Sequence, residues 1–187
     1  METTIRTELS DGTVRIRAYR RDDVDALFEA VSASIPEVSA WLPWCHPGYR
    51  PEDSAGWIAM QPDAWRSGEE YAFAVEDAHT GAFLGGCGLG RIDPFNACAG
   101  LGYWVRTSHT GRGVATAAAR LAARFGFEDL RLRRIEILVA VENKASRRVA
   151  EKVGARPEGR LRKRFLLQGK PQDGLLYSLL PEDLAPL

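Results

Sequence analysis

The chain has no surplus of either charge: its 187 residues hold 25 lysines and arginines against 25 aspartates and glutamates. A protein that grips nucleic acid through phosphate needs a basic excess to displace counterions, so general nucleic-acid binding is not expected. Cysteine is scarce. Cys45, Cys87 and Cys98 fit no metal spacing and cannot all pair, a pattern suited to a reducing compartment with thiols buried as small apolar groups. The histidines, His46, His79 and His109, are scattered along the chain, and no catalytic metal is indicated. No apolar run approaches the roughly 20 residues of a membrane-spanning helix. The opening segment, Met1 to Asp11, is polar and lacks the apolar stretch of a signal peptide. A cytoplasmic protein without a membrane partner is the expectation.

What is present is ordinary globular material, 45% apolar and 27% charged, enough for one domain with a substantial core. Val14, Ile16 and Ala18 alternate with Arg15, Arg17 and Tyr19 as in a half-buried strand. Asp22-Asp23 open a helix whose apolar positions, Val24, Leu27, Phe28 and Val31, recur at helical spacing. A tryptophan- and proline-punctuated stretch follows from Ile35 to Gly68. Pro51-Glu52-Asp53 suits a helix start there, and Pro62 is expected to end or kink that helix. Tyr71–Glu76, Ala82–Leu89 and Ala99–Val105 read as strands, the first two joined by a turn at His79-Thr80-Gly81. A helix is expected over 114–127, a strand over Arg134–Val141 and a short helix over 144–153 that stops at Gly154. Two final strands near 164–167 and 175–180 are joined through Gly169-Lys-Pro171. A meander followed by strand–helix–strand–helix–strand implies an α/β layer around a mixed sheet.

The segment Thr110-Gly-Arg-Gly-Val-Ala-Thr116 lies between a strand and an amphipathic helix. First-turn N–H groups of a helix lack intrahelical partners, and the helix dipole adds roughly half a positive charge. Gly111 and Gly113 keep Cβ atoms out of a ligand's way. This suits a phosphate cradle, and equally a turn that uses glycine for geometry alone. A P-loop fits poorly, because Val114-Ala115 follow Gly113 instead of lysine and a hydroxyl residue. A Rossmann fingerprint wants Gly or Ala where Thr116 stands, within a parallel unit. Further on, Asn143 suits the N-cap of the next helix, with Ser146 at its third position.

Leu101-Gly-Tyr-Trp-Val105, Gly111-Arg-Gly-Val-Ala115, Asn143-x-x-Ser146 and Gly154, in this order, resemble the GCN5-related N-acetyltransferase (GNAT) superfamily. Trp41-Leu-Pro-Trp44, Gly85, Gly102-Tyr-Trp104, Asn143-Lys-Ala-Ser-Arg-Arg148 and the stretch Asp173 to Leu180 are similar, more narrowly, to the ribosomal-protein acetyltransferases RimJ and RimL. The resemblance implies one domain over 14–181 with a mixed, mostly antiparallel sheet flanked by helices and splayed to hold acetyl-CoA. Backbone groups of Trp104, Val105 and Arg106 would bond the pantetheine arm. Amides of Gly111, Arg112, Gly113, Val114, Ala115 and Thr116 would take the pyrophosphate, with Asn143 and Ser146 beside the cofactor. Arg112 and Arg147 are candidates for charge near its phosphates. Thr110 stands where the superfamily usually carries Gln or Arg, which a backbone cradle tolerates.

The implied reaction is direct attack of a neutral amine on the thioester, without an acyl-enzyme. Relatives often place a tyrosine acid seven residues after the asparagine; here that position is Ala150, and Ser146 is the implied substitute at the sulfur. Relatives also carry a glutamate on the central strand where this chain has Gly100, leaving Glu70, Asp93 and Asp173 as candidate bases. Trp41, Trp44, Trp57 and Trp65 are either packing or an acceptor wall, and His46 either borders that wall or is a surface residue. The basic run Arg160-Leu-Arg-Lys-Arg164 is either a solvated face or a guide for an acidic substrate. The acceptor implied is a protein N-terminal α-amine; a small-molecule amine and a non-catalytic acyl-CoA-binding module remain open, as does homodimerisation.

Overall fold

A computed structural model describes residues 5–184; Met1 to Thr4 of the polar opening segment lie outside that range. Eight strands form one sheet in the order β1-β2-β3-β4-β5-β6-β8-β7. These are β1 (Glu8–Ser10), β2 (Val14–Ala18), β3 (Tyr71–Asp77), β4 (Phe83–Asp93), β5 (Cys98–Val105), β6 (Arg134–Ala140), β7 (Arg156–Leu167) and β8 (Lys170–Leu179). Every neighbouring pair is antiparallel except β5 with β6. The helices are α1 (Val24–Ser32), α2 (Ile35–Val38), α3 (Pro51–Ser67), α4 (Val114–Glu128) and α5 (Lys144–Val153).

Two apolar clusters sandwich the sheet. The larger joins it to α4 and α5, with Phe125, Leu121, Ile135, Leu89 and Val153 all but inaccessible. The smaller joins it to α1 and α3 through Leu27, Val31, Ile58, Ala74 and Phe83. Among the described residues no helix is long and apolar enough to cross a membrane.

Pro62 does not end the helix that opens at Pro51: α3 runs unbroken from Pro51 to Ser67. A proline inside a helix costs about 3 kcal/mol, and packing on both sides of it offsets that cost. Ile58 is buried before it, and after it the Trp65 ring meets Tyr71 and Phe73 at 5.1 Å each and Phe125 at 5.8 Å. The last two strands are longer than the apolar signals near 164–167 and 175–180, because β7 is mostly exposed and charged and pairs with β8 along its length. Strand β1 also went unmarked, since three residues are too short to show alternation.

The feature that shapes the site is the parallel pair. It runs from Cys98 opposite Arg134 to Gly100 opposite Glu136. Beyond that point β6 continues along β8 and β5 continues along β4, so the two strands part and a gap opens beside Leu101–Val105.

Candidate active site

The gap is the floor of a cavity of about 480 Å³, bounded by the starts of α4 and α5 and by Trp41 and Val38. Which backbone groups of β5 face it follows from register. The Arg106 N–H donates to Leu84 O at 2.8 Å on the β4 side. Antiparallel alternation then turns the groups of Trp104 toward β4 and those of Val105 and Tyr103 into the gap. Of the three residues expected to offer backbone there, Val105 is so placed, whereas the amides of Trp104 and Arg106 are committed to the sheet. The Arg106 side chain is committed too, donating to Glu29 Oε1 at 2.7 Å. Together with the Thr107 bonds to Ser34 Oγ and Glu37 Oε2, it ties the strand end to α1 and α2.

Helices α4 and α5 begin on this cavity in opposite ways. Asn143 Oδ1 accepts the Ser146 N–H at 3.0 Å and caps α5. Helix α4 has Gly113 at its N-cap, with φ of 83° and no side-chain cap, so first-turn amides at Val114, Ala115 and Thr116 have no capping acceptor, and these residues line the cavity. Gly111, with φ of 77°, is left-handed as well, and a Cβ on either glycine would meet nothing within 4 Å. The glycines therefore serve backbone direction and an open approach, not close packing. Gly111, Gly113, Val114, Ala115, Thr116, Asn143 and Ser146 all border the cavity, while Arg112 and Arg147 do not. The Arg147 guanidinium turns back to Val141 O at 3.4 Å, and Arg148 and Lys152, one helical turn apart, bring positive charge to the rim instead.

Tyr103 is the residue that sequence reasoning passed over. Its hydroxyl lies 3.0 Å from Ser146 O, to which it donates, and 3.1 Å from Ser146 Oγ. Burial pushes its pKa up to about 12, so it stays protonated and remains a donor near neutrality. Ala150 leaves the helical tyrosine position empty and buried; Tyr103 reaches Ser146 from the strand side. Its place beside Trp104 was a clue, since adjacent strand residues face opposite ways.

A second cavity, of about 790 Å³, is bounded by α1, α3 and the loop between them, and shares Leu42, Leu101–Trp104, Leu138 and Phe165 with the first. Trp44 stands edge-on to Trp104 at 5.6 Å, and Trp57 edge-on to Tyr19 at 4.7 Å. The tryptophans thus divide: Trp44 and Trp57 wall the second cavity, Trp41 the first, and Trp65 packs in the core. His46 borders the second cavity, its Nδ1 accepting the Gly48 N–H at 3.1 Å.

The three candidate bases separate clearly. Asp93 accepts from Asn96 Nδ2 and the amides of Phe95 and Asn96, which hold its carboxyl below the usual range. Asp173 accepts from the Lys163 N–H and Arg160 Nε and is likewise held low. Glu70, just before β3, lines the second cavity, and desolvation raises its carboxyl pKa. It is solvent-accessible, but through a cavity walled by protein. Opposite it, the Gly100 position expected to lack a glutamate is covered by Arg91, with which a Cβ there would collide. Among the described residues no group of three or more His, Cys, Asp or Glu side chains is placed to hold a metal ion.

The model of the acetyltransferase (GNAT) domain matches residues 13–156. YdaF of Bacillus subtilis (strain 168), provisionally named a ribosomal N-acetyltransferase, is 30% identical over 175 residues, 91% of this chain and 92% of its own. The ribosomal-protein-serine acetyltransferase of Escherichia coli (strain K12) is 33% identical over 95 residues, 51% of this chain and 53% of that one. The structure of Mycobacterium smegmatis RimJ in complex with CoA-disulfide superposes with a TM-score of 0.82 and 29% identity, over 92% of this chain and 84% of that one. The chain belongs to the GNAT acetyltransferase family, in its RimJ/RimL-like branch, and is an acetyl-CoA-dependent N-acetyltransferase.

Proposed function

We propose that this enzyme acetylates the free α-amine of a protein N-terminus, binding acetyl-CoA in the cavity of the β5–β6 gap and the acceptor in the adjoining one. The observation that carries the donor half is the uncapped start of α4 behind two left-handed glycines, which suits a pyrophosphate. Arg148 and Lys152 add charge at the rim, and Val105 and Tyr103 offer strand groups to the pantetheine arm. Acetyl-CoA supplies the acetyl group as a thioester open to amine attack.

The chain's own residues then divide the work. Glu70, whose carboxyl pKa is raised by desolvation, removes the amine proton directly or through water. Ser146 Oγ lies 3.1 Å from the Tyr103 hydroxyl, and when its proton turns from that oxygen to the sulfur it donates a hydrogen bond to the departing thiolate. A serine is a weak acid, so stabilisation by hydrogen bonding outweighs full proton transfer. Strand N–H groups of β5 on the gap side suit the carbonyl oxygen as it gains charge.

The α-amine is favoured by proton chemistry. Its ordinary pKa of about 7.7–8.0 leaves a neutral fraction near pH 7, whereas a lysine amine at about 10.4 is almost wholly protonated. A carboxylate, even one raised by burial, is too weak a base to overcome that difference cheaply. The names of the ribosomal-protein relatives support a protein acceptor, while a cavity of about 790 Å³ is also of a size to hold a small amine. Matched peptides carrying either a free N-terminus or a single free lysine, beside small primary amines, test the assignment at pH 7. Faster turnover of the N-terminal peptide is expected; faster turnover of the lysine peptide, or of small amines over both, overturns it.

A further inference from the structure

We infer that the acceptor cavity recognises a carboxylate carried close to the reacting amine, gripped by Arg91 and Arg164. This rests on the reading of that cavity as the acceptor site. Both arginines line it, and neither has an ion-pair partner within 4.0 Å among the described residues. Arginines elsewhere on the sheet are held in ion pairs. Arg160, on the same strand as Arg164, is held by Asp173 at 2.6 Å, and Arg134 by Glu158 at 2.5 Å. The basic run near the C-terminus therefore splits into a satisfied member and one that faces the cavity.

The backbone delivers both side chains at some cost. Arg91 has φ of 51° inside a register shift of the β4–β5 ladder between Gly90 and Asp93. Arg164 follows Lys163, with φ of 50°, inside a register shift of the β7–β8 ladder between Leu161 and Phe165. Bulges re-aim side chains, and left-handed conformations at non-glycine residues persist where surrounding structure enforces them, often at functional sites. The absence of a side chain at Gly100 completes the arrangement, because a Cβ there would lie only 2.7 Å from Arg91 Nε. Each brings a planar guanidinium fork to the lining of the same cavity, and such a fork suits the two oxygens of a carboxylate.

The acidic residues of the cavity do not cancel this. Asp53 Oδ2 is taken by the Arg50 N–H at the start of α3, and Glu70 makes no ion pair with either arginine. A carboxylate on the acceptor can come from an acidic side chain next to a peptide N-terminus or from a free amino acid, and both carry the same chemistry.

The test titrates the CoA-loaded protein by calorimetry with N-terminal peptides bearing Glu or Gln at positions two and three, and with free glutamate beside its neutral diamide. Acetylation of the same ligands is followed in parallel. The acidic member of a pair is expected to bind about 10- to 100-fold more tightly, as for hydrogen bonds to charged groups. Arg91→Asn, which keeps a residue tolerant of the left-handed bulge, and Arg164→Gln should each reduce that preference roughly tenfold. Arg162→Gln, outside the cavity, should preserve it. Preference confined to the peptides names a protein acceptor, and preference confined to glutamate names a small one. Equal binding of acidic and neutral ligands, or a preference that survives both cavity variants, overturns the inference. Acid-selective binding without acetyl transfer leaves it standing and instead removes the proposed reaction.

Discussion

At the scale of single residues, the proposed proton chemistry rests on Glu70. Its role depends on ionisation, and desolvation raises its pKa above the ordinary carboxylate value. A general base works only when deprotonated, so activity falls as pH drops through that raised pKa. A second loss, from protonation of the acceptor amine, sets in below about pH 8. Glu70→Gln should lower kcat by about 10²–10⁴-fold and remove the lower of the two pH limbs, leaving the limb of the amine. A pH profile of kcat/KM for the two proteins reads this, and an unchanged lower limb would return the proton to water or another group. Sequence reasoning had Glu70 among three carboxylates with nothing to rank them. The ranking is environmental: hydrogen bonds hold Asp93 and Asp173 low, while Glu70 is left among cavity walls. No sequence pattern encodes that difference.

At the scale of elements, the proposed donor recognition rests on two helix starts. Two successive helices open on one cavity, and only α5 satisfies its own first turn. The Asn143 cap was legible from spacing alone, because an asparagine three residues before Ser146 has a local partner. The glycine pair was legible as a loop, but its purpose was not. A free Cβ space at Gly113 becomes meaningful only once α4 lacks a cap. Gly113→Glu should abolish CoA binding, since it sets a carboxylate and a Cβ where the pyrophosphate is proposed to sit. The bare chain loses little packing, so folding should survive apart from the roughly 1–2 kcal/mol cost of a left-handed residue. Calorimetry on the folded variant decides it, and near-native affinity would remove the cradle from α4. Which arginine of α5 borders the cavity is a matter of geometry that the sequence does not display. Arg147 and Arg148 are adjacent, and a turn of about 100° per residue sends one back to Val141 and the other to the cavity rim.

Across the whole molecule, order of elements and periodicity were enough for the fold class, and long-range packing supplied what they missed. Helix α3 passes through Pro62 because Ile58 and Trp65 are anchored on either side of it, a contact set written in β3 and α4 far along the chain. The β7–β8 ribbon runs beyond its apolar residues because backbone pairing, not burial, extends it. The consequence for function is the joining of two cavities along Leu101–Trp104, Leu138 and Phe165. Separate spaces that meet at one strand allow donor and acceptor to be held together, with no need for the protein to carry the acetyl group between them. Initial rates of acetylation, measured while acetyl-CoA and an acidic N-terminal peptide are varied against each other, test this most directly. Intersecting double-reciprocal lines are predicted, as for a complex holding both substrates; parallel lines, the mark of an acetylated enzyme, would contradict direct transfer.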